Sequence, residues 1–270
     1  MGEKMRMPEN DLKSAEGLQS VIITLQIVEQ VARTGRGVGV TSLATALGTS
    51  KSRIHRHLQT LVQQGYVLQH EDSERYEIGY KLVSLGQAVL DNSGLVGATR
   101  DSLLALRDQL SHSAVASQLT PDGMLVIATI PGRSPIEIGV RVGSLLSFHG
   151  SAQGKVATAF SSPAFQQRVL SGMLTPFTPQ TITDPAKLAA EFALIRQRGW
   201  AVAPDQAAMG LNTLASPILD GTGMVCGAVG VVDLTQALSE VPAPGHIEAV
   251  LETARKISIL MGHSGALPRG

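Results

Sequence analysis

The sequence has little of what several classes of protein require. Cys226 is the single cysteine, which excludes an intrachain disulfide and a cysteine-rich zinc cluster. The longest plainly apolar run, Met224 to Val232, has nine residues, less than half of a membrane span. The segment from Met1 to Lys13 mixes charges and has no apolar core, so it does not resemble a signal peptide. We therefore expect a soluble, cytoplasmic protein without a membrane partner.

Charged and aromatic side chains are also scarce. Charged residues make up 16% of the 270 and aromatic residues 3%, whereas apolar residues reach 43%. This composition supports a packed core and excludes a mainly disordered chain. The few aromatic rings give no sign of base stacking, which disfavours single-stranded nucleic acid as a partner. The length indicates one large domain or two ordinary ones.

Acidic residues are missing from one window of an otherwise neutral chain. The chain has 22 basic and 22 acidic residues, yet no Asp or Glu occurs between Gln30 and His70. The basic and histidine residues of this window are Arg33, Arg36, Lys51, Arg53, His55, Arg56, His57 and His70. Such a window indicates an anionic partner, although a chance cluster on a solvated face gives the same pattern.

The first part of the chain begins with a polar segment and a helical pattern. Residues 1–17 are polar and aperiodic, which is typical of a flexible arm. Apolar residues at helical spacing follow Ser20, which is a predicted N-cap. Three glycines predict the end of this helix between Arg33 and Gly39.

Two further helices and a hairpin follow. A short helix is predicted to begin at Thr41 and to break at Gly48. A longer one is predicted from Lys51 to Gln64, with Ser50 as its N-cap and Gly65 closing it. Two short β-like segments, at 66–69 and 75–78, surround an acidic turn and predict a hairpin.

Three helices and a hairpin form the layout of a winged helix-turn-helix domain, here residues 18–79. Because Ile54 and Leu58 anchor the longer helix inward, its polar residues remain free for the major groove of DNA. A three-helix bundle with a polar outer face is the alternative. The residues predicted to contact DNA are Thr41, Ser50, Lys51, Ser52, Arg53, His55, Arg56, Gln59, Arg75 and Tyr76.

The remainder of the chain has the pattern of an α+β domain. A linker helix is predicted over 80–96, a second domain over 97–263 and a tail over 264–270, with a boundary signal at Asn92-Ser93-Gly94. Strands are predicted at 114–119, 124–130, 136–142, 200–203, 214–219 and 225–232. Helices are predicted at 99–110, 153–160, 163–170, 185–198 and 245–261. The tight turns between several strands favour a largely antiparallel sheet.

Short motifs occur in a specific order over about residues 18–262. The first half contains VTSLA at 40–44, LGTSKSR at 47–53, LQTL at 58–61, GYV at 65–67 and YEIG at 76–79. The second half contains HGSAQGKV at 149–156, RGWAV at 198–202, GLN at 210–212 and ASPI at 215–218. In this order and at these distances, the motifs resemble those of the IclR (isocitrate lyase regulator) family of bacterial transcription factors.

The resemblance implies a fold and a function. It implies an N-terminal winged helix-turn-helix, a linker helix and a C-terminal effector-binding domain related to the GAF fold. It also implies a homodimer or dimer of dimers that binds palindromic double-stranded operator DNA and responds to a small organic molecule. We expect a regulator of a catabolic operon, a repressor rather than an activator, with no enzymatic activity and no cofactor.

The loop from Gly150 to Lys155 differs from known phosphate and nucleophile motifs. Lys155 is followed by Val156 rather than Ser or Thr, so the loop is not a P-loop, and Ser151 is not in a G-x-S-x-G turn. What remains is a small-residue turn into a helix, whose free backbone N–H groups can bind an anion. Tight helix entry, with glycine needed for packing alone, is the alternative.

The family pattern places the effector pocket at this loop. The candidate residues are Leu146, Phe148, Ser151, Ala152, Gln153, Gly154, Ala203, Asp205, Thr213, Ala215, Gly230 and Val232. Family members that bind very small oxo-acids carry an acidic pair where this chain keeps only Asp205. They also carry more polar residues at the positions of Thr213, Gly230 and Val232. A less polar pocket favours a roomier site and a partly apolar effector, such as an aromatic carboxylic acid or a related amide or hydrazide.

Other functions remain open at this point. A hydrolase-type enzyme would use His149, Ser151 and Asp205, or Cys226, but no spacing of nucleophile and base is recognisable. A ligand-independent DNA-binding protein would leave the large second domain unexplained. A bound metal is not expected, because His149 and Asp205 alone do not make a zinc site. For a regulator, we expect the effector to shift a population in which the linker helix sets the spacing of paired recognition helices.

Overall fold

The chain divides into two compact units, Met1–Asn92 and Ser93–Gly270. The structure, a computed structural model, describes residues 9–35, 37–92, 94–134 and 138–264. Arg36, residues 1–8 of the predicted arm and residues 265–270 of the predicted tail therefore lie outside the described residues. The division falls within the predicted boundary segment, Asn92-Ser93-Gly94. In place of the single linker helix predicted over 80–96, one helix ends at Asn92 and the next begins at Gly94.

The N-terminal unit has the helix and strand order predicted for a winged helix-turn-helix. Its elements are α1 (Glu9–Thr34), α2 (Val40–Ala46), α3 (Lys51–Gln63), β1 (Val67–Gln69), β2 (Tyr76–Ile78) and α4 (Tyr80–Asn92). β1 and β2 pair in an antiparallel hairpin, and Val38 pairs with Tyr76 on the other side of β2. The segment before α2 is thereby tied to the hairpin.

The first helix is longer than predicted. Instead of beginning after an N-cap at Ser20, α1 begins at Glu9 and continues through Ser20. Ser20 is an interior helical residue, whose carbonyl accepts a hydrogen bond from Thr24 Oγ1 at 2.8 Å. Residues 12–16 include leucine, lysine, alanine and glutamate, all good helix formers, and extending a helix costs far less than nucleating one.

Both ends of α3 are fixed as the sequence predicts. Ser50 has extended backbone angles, and its Oγ accepts a hydrogen bond from the Arg53 backbone N–H at 3.3 Å. At the other end Gly65 has a φ of +76°, which favours glycine, and its N–H donates to Val62 O at 3.0 Å. These two contacts satisfy backbone groups at the ends of α3, and its buried residues Ile54, Leu58 and Leu61 form the inward face.

The C-terminal unit is built on one six-stranded sheet with the order β5-β4-β3-β8-β7-β6. Its strands are β3 (Ser113–Leu119), β4 (Met124–Ile130), β5 (Leu145–Leu146), β6 (Ala201–Val202), β7 (Leu211–Leu219) and β8 (Val225–Leu234). Its helices are α5 (Gly94–Leu110), α6 (Ala152–Phe160), α7 (Pro163–Leu170), α8 (Pro185–Arg198) and α9 (Pro244–Leu260). All neighbouring strands pair antiparallel, which confirms the predicted sheet type.

Helices cover both faces of this sheet. α5 contacts β3 and β4, and α9 contacts β7 and β8, while α6 contacts β7 and β8 and packs against α8. A side chain at Gly227 would point at Leu95 of α5. Gly230 and Val232 differ from Gly227 by an odd number of residues, so they face the α6 side.

One predicted strand is wrong. The sequence predicted a strand over 136–142, but residues 138–142 are not a strand, and 136–137 lie outside the described residues. Ile138 and Val140 pack against the small cluster of Val115, Val126 and Val232 from a loop. The alternating apolar residues are therefore buried against the sheet without forming a strand. The edge strand next to β4 is β5.

The entry into α6 depends on a close approach of two backbone segments. Ser151 caps the helix, since its Oγ accepts from Gly154 N at 3.0 Å and donates to Ser147 O at 2.8 Å. A Cβ on Gly154 would lie 2.1 Å from Ser147 O, so only glycine fits there. This turn holds the N-terminus of α6 over the sheet.

Candidate functional site

The surface of α3 is basic on one side and apolar on the other. Ile54, Leu58 and Leu61 are buried in the core of the N-terminal unit, as predicted. Of the residues predicted to contact DNA, those exposed on α2 and α3 are Thr41, Lys51, Ser52, His55, Arg56 and Gln59. Arg53 is partly buried, and the Ser50 hydroxyl is used as the helix cap. No described carboxylate forms an ion pair with the basic residues of α3, so their charges are available to an anion.

The hairpin contributes less to this surface than predicted. Tyr76 is only 2% exposed and belongs to the core, so its predicted contact with a DNA backbone is wrong. Successive residues of a strand point to opposite faces, and the neighbouring Arg75 takes the outer one. The Arg75 Nη1 donates to Gly37 O at 3.0 Å, which ties the hairpin to the segment before α2.

A small cavity lies at the N-terminus of α6 on the sheet of the C-terminal unit. Seven of the twelve predicted effector residues line it: Leu146, Ser151, Ala152, Gln153, Ala203, Thr213 and Val232. Four residues that the sequence did not indicate complete the wall: Val115, Val140, Ala207 and Leu211. Val115 and Val232 lie on neighbouring strands, and Thr213 is the register partner of Val232. Strand register, which no local pattern reveals, brings them together.

The cavity wall is mostly apolar, with polar groups at one end. Ala152 and Gln153 are the first two residues of α6, so their backbone N–H groups have no acceptor within the helix. The Gln153 Nε2 donates to Val115 O at 3.4 Å, whereas its buried Oε1 has no hydrogen-bond partner among the described residues. No lysine or arginine is among the described lining residues. An anion there would be held by N–H groups and the positive end of the helix dipole.

The cavity volume is about 70 Å³, little more than two water molecules occupy in the liquid. The less polar lining therefore does not produce the roomier pocket that the sequence predicted. The loop before β5 and the loop between β6 and β7 contribute Val140 and Ala207 to the wall. A ligand larger than the cavity would extend beyond it or displace one of these loops.

Five predicted effector residues do not line the cavity. Phe148 packs edge-on against Phe165 with ring centroids 5.1 Å apart, and Ala215 is completely buried. Gly154 and Gly230 serve close packing, because a Cβ on either would lie within 2.3 Å of a carbonyl oxygen. The Asp205 carboxylate accepts from Gly210 N at 2.5 Å and shapes the loop before β7. For Gly154, the structure supports the alternative interpretation, in which the glycine is needed for close packing at the entry of α6.

Comparison with known proteins decides the family. A family model described as the IclR helix-turn-helix domain matches residues 20–71. A second, described as the bacterial transcriptional regulator IclR C-terminal domain, matches residues 87–259. The chain belongs to the IclR family.

Similar IclR-family proteins match nearly the whole chain. The glycerol operon regulatory protein of Streptomyces griseus is 30% identical over 254 residues, which cover 92% of this chain and 98% of that protein. The HTH-type transcriptional regulator KdgR of Escherichia coli is 27% identical, covering 93% and 95%. The crystal structure of Thermotoga maritima IclR superposes with a TM-score of 0.78 at 25% identity, covering 91% of this chain and all of that one.

As an IclR-family member, the chain is a DNA-binding transcriptional regulator and not an enzyme. The groups that an alternative hydrolase would need are already engaged separately. Ser151 caps α6, His149 Nε2 donates to Thr175 O at 2.9 Å, and Asp205 binds Gly210 N. Burial raises the pKa of the Cys226 thiol to about 11, aided by Asp220, so a thiolate is disfavoured.

The described residues contain neither a metal-binding cluster nor a membrane-spanning helix. Within those ranges, no three His, Cys, Asp or Glu side chains are grouped so that they could hold a metal ion. None of the helices there combines the length and apolar character needed to cross a membrane.

Proposed function

We propose that this IclR-family regulator is an effector-gated repressor of a catabolic operon. In this proposal it acts in the cytoplasm as a homodimer or dimer of dimers on palindromic operator DNA. The observation that carries the proposal is the cavity at the N-terminus of α6, where two unpaired N–H groups and an unpartnered Gln153 oxygen meet apolar walls. A domain that only held DNA-binding units together would not need such a site.

The chemistry of the wall narrows the effector class. The N–H groups of Ala152 and Gln153 suit a carboxylate or carbonyl, and the Gln153 Oε1 needs a donor such as a hydroxyl or amide N–H. Val115, Leu211 and Val232 suit an apolar body. The effector is therefore a small, partly apolar acid or amide that also carries a donor.

The size of the effector depends on the loops. A short aliphatic hydroxy acid or amide suits the cavity as it stands, and an aromatic acid would extend beyond it or displace a loop. An IclR homologue from Microbacterium hydrocarbonoxydans, with a TM-score of 0.77 at 20% identity, is solved in complex with 4-hydroxybenzoate. Both size classes therefore belong in a test panel, with or without a donor group.

Substitutions at the α6 entry test this placement. We expect Gln153→Leu to weaken the binding of effectors that carry a hydrogen-bond donor roughly tenfold, since one net hydrogen bond is worth about 1–1.5 kcal/mol. Effectors without a donor should bind Gln153→Leu as they bind the wild type. Ala152→Leu should abolish binding of every effector, because its side chain would fill the cavity.

Calorimetric titration of the full chain measures these affinities. Ala190→Leu, on the exposed side of α8, is the matched control, and thermal unfolding identifies any variant that fails to fold. Unchanged effector affinity in both Gln153→Leu and folded Ala152→Leu would place the effector site elsewhere.

Gating follows from a population shift. The effector favours one of two arrangements of the dimer and so changes the spacing of the paired α3 helices. Half-sites on DNA lie one helical turn or a multiple apart, so a few ångströms suffice to break the register.

A further inference from the structure

A polar groove of about 610 Å³ lies between α1 and α3 in the N-terminal unit. Six residues line it: Gln19, Ser20, Arg53, Arg56, His57 and Thr60. Each of them carries a hydrogen-bond donor or can acquire one, and none is acidic. A groove whose described lining has two guanidinium groups and no carboxylate is suited to an oxyanion such as a phosphate.

The hydrogen bonds of Thr24 fix the tautomer of His57. The Thr24 hydroxyl has one proton, and it donates that proton to Ser20 O at 2.8 Å. In its 2.8 Å contact with His57 Nδ1, the Thr24 oxygen must therefore accept, so Nδ1 carries a hydrogen. The second ring nitrogen, Nε2, is then an acceptor when the ring is neutral and a donor when it is charged. No described residue forms a hydrogen bond with Nε2.

The surroundings of His57 favour a neutral ring in the absence of DNA. Burial, and then the charges of Arg53 and Arg56, lower the pKa of His57 below its ordinary value. α2 and β1, which also contact α3, carry no charged residue. The charged residues of α1 with described side chains, Glu29 and Arg33, do not line the groove. The described charges that act on the ring are therefore positive, and a bound anion would oppose them.

We propose that this groove binds a backbone phosphate of the DNA, and that His57 takes up one solvent proton on binding. Nδ1–H remains bonded to Thr24, while the newly protonated Nε2–H donates to the phosphate beside Arg53 and Arg56. This inference rests on the DNA-binding function and adds to it a contact and a proton linkage. It assigns to His57 a role that its position on α3 alone does not indicate.

The proton linkage fixes the sign of the pH dependence. Between the higher pKa of the bound state and the lower pKa of the free state, DNA binding takes up a proton. Affinity must therefore rise as pH falls through this window, by about tenfold per pH unit and per chain at most. Above and below the window, His57 contributes no slope.

Two substitutions of His57 separate its proton from its geometry. His57→Asn keeps an N–H at the position of Nδ1, facing Thr24, and His57→Gln keeps a neutral N–H near the position of Nε2. Neither side chain titrates. His70→Gln is the control, because His70 is an exposed histidine of the same unit that lies outside the groove and pairs with Glu77.

The affinity of the full-length variants for a specific duplex is measured by fluorescence anisotropy from pH 5.5 to 8 at constant ionic strength. We expect wild type and His70→Gln to bind more tightly as pH falls, and both His57 variants to lose most of that slope. The inference would be overturned, with DNA binding left intact, if the wild-type affinity did not change with pH. It would also be overturned if both folded His57 variants kept the wild-type dependence of affinity on pH. Absence of specific binding at every pH would overturn the proposed function as well.

Proton uptake identifies the source of the phosphate. The full chain is titrated calorimetrically with the duplex, and separately with inorganic phosphate, in two buffers of different ionisation enthalpy. Uptake with the duplex that His57→Asn abolishes supports the inference, whether or not inorganic phosphate does the same. Uptake with inorganic phosphate and none with the duplex would show a site for a free anion instead.

Discussion

At the residue scale, Lys155 is the side chain least suited to its surroundings. It is completely buried in α6, and its Nζ has no hydrogen-bond partner among the described residues. Burial lowers the pKa of Lys155 to about 8, with Glu191 opposing the shift and Arg198 adding to it. In the unfolded chain a lysine titrates near 10.4, so over roughly pH 8 to 10 the unfolded state binds more protons than the native state. Lys155 therefore destabilises the fold at neutral pH, and stability rises with pH through that window.

We expect Lys155→Met to increase the free energy of unfolding at pH 7 by roughly 1–3 kcal/mol, because the pKa shift of the buried lysine has that order of magnitude. The advantage should shrink between pH 8 and 10, as native Lys155 becomes neutral. Urea denaturation at pH 7 and pH 9.5 measures both effects, with the exposed Lys187→Met as control. A less stable Lys155→Met at pH 7 would mean that the ammonium is compensated.

Arg53 is the residue most directly tied to DNA recognition. It lies in the first turn of α3 and lines the groove, free of any described carboxylate. We expect Arg53→Ala to weaken binding to the duplex by roughly 1.5–3 kcal/mol, the usual value of a hydrogen bond to a charged group, because the proposed phosphate site lies beside its guanidinium. Anisotropy with the specific duplex measures this loss, and Arg100→Ala, exposed on α5, should bind like the wild type. Unaltered affinity in Arg53→Ala would remove Arg53 from the interface.

At the scale of elements, local chemistry predicts the ends of helices well. Ser50 acts as an N-cap and Gly65 terminates α3 with a positive φ, both as predicted, and Asp184 and Gly199 do the same for α8. Each of these depends on one side chain or one backbone angle, which the sequence states directly. The start of α1 was missed because a polar segment has no apolar periodicity, although its residues favour a helix.

Strands are less predictable, because their partners are distant in sequence. The alternation over 136–142 belongs to a loop packed on the sheet, and Tyr76 is buried although its strand was expected to face DNA. An alternating pattern predicts which residues are buried, but it does not predict which strand of the sheet the segment pairs with, or whether it pairs at all.

The turn into α6 gives a test at this scale. Gly154→Ala should destabilise the C-terminal unit by roughly 1–3 kcal/mol or more, because its Cβ would overlap the Ser147 carbonyl. Gly97→Ala, in α5 with open space around its Cβ, should instead stabilise by about 0.5–1 kcal/mol through helix propensity. Chemical denaturation of both variants compares them. Equal stability of the two would contradict the packing role of Gly154.

At the scale of the whole molecule, the two units have separate cores and separate sites. The sequence predicts both kinds of site, since the basic window and the α6 entry are local features. It misses Val115 and Leu211 in the cavity, and the pairing of His57 with Thr24, because strand register and helix packing bring them together. The family resemblance supplied seven of the residues that line the cavity, and the other five that it indicated lie outside the lining.

The decisive measurement is the affinity of the full chain for the DNA upstream of its own gene and of neighbouring genes. It is made over a salt series, with and without each acid or amide of the panel. We predict specific, salt-sensitive binding that one effector class changes at least tenfold in the wild type and not in Ala152→Leu. Specific binding that no compound alters, or that the same compound alters equally in folded Ala152→Leu, would contradict an effector site at the N-terminus of α6.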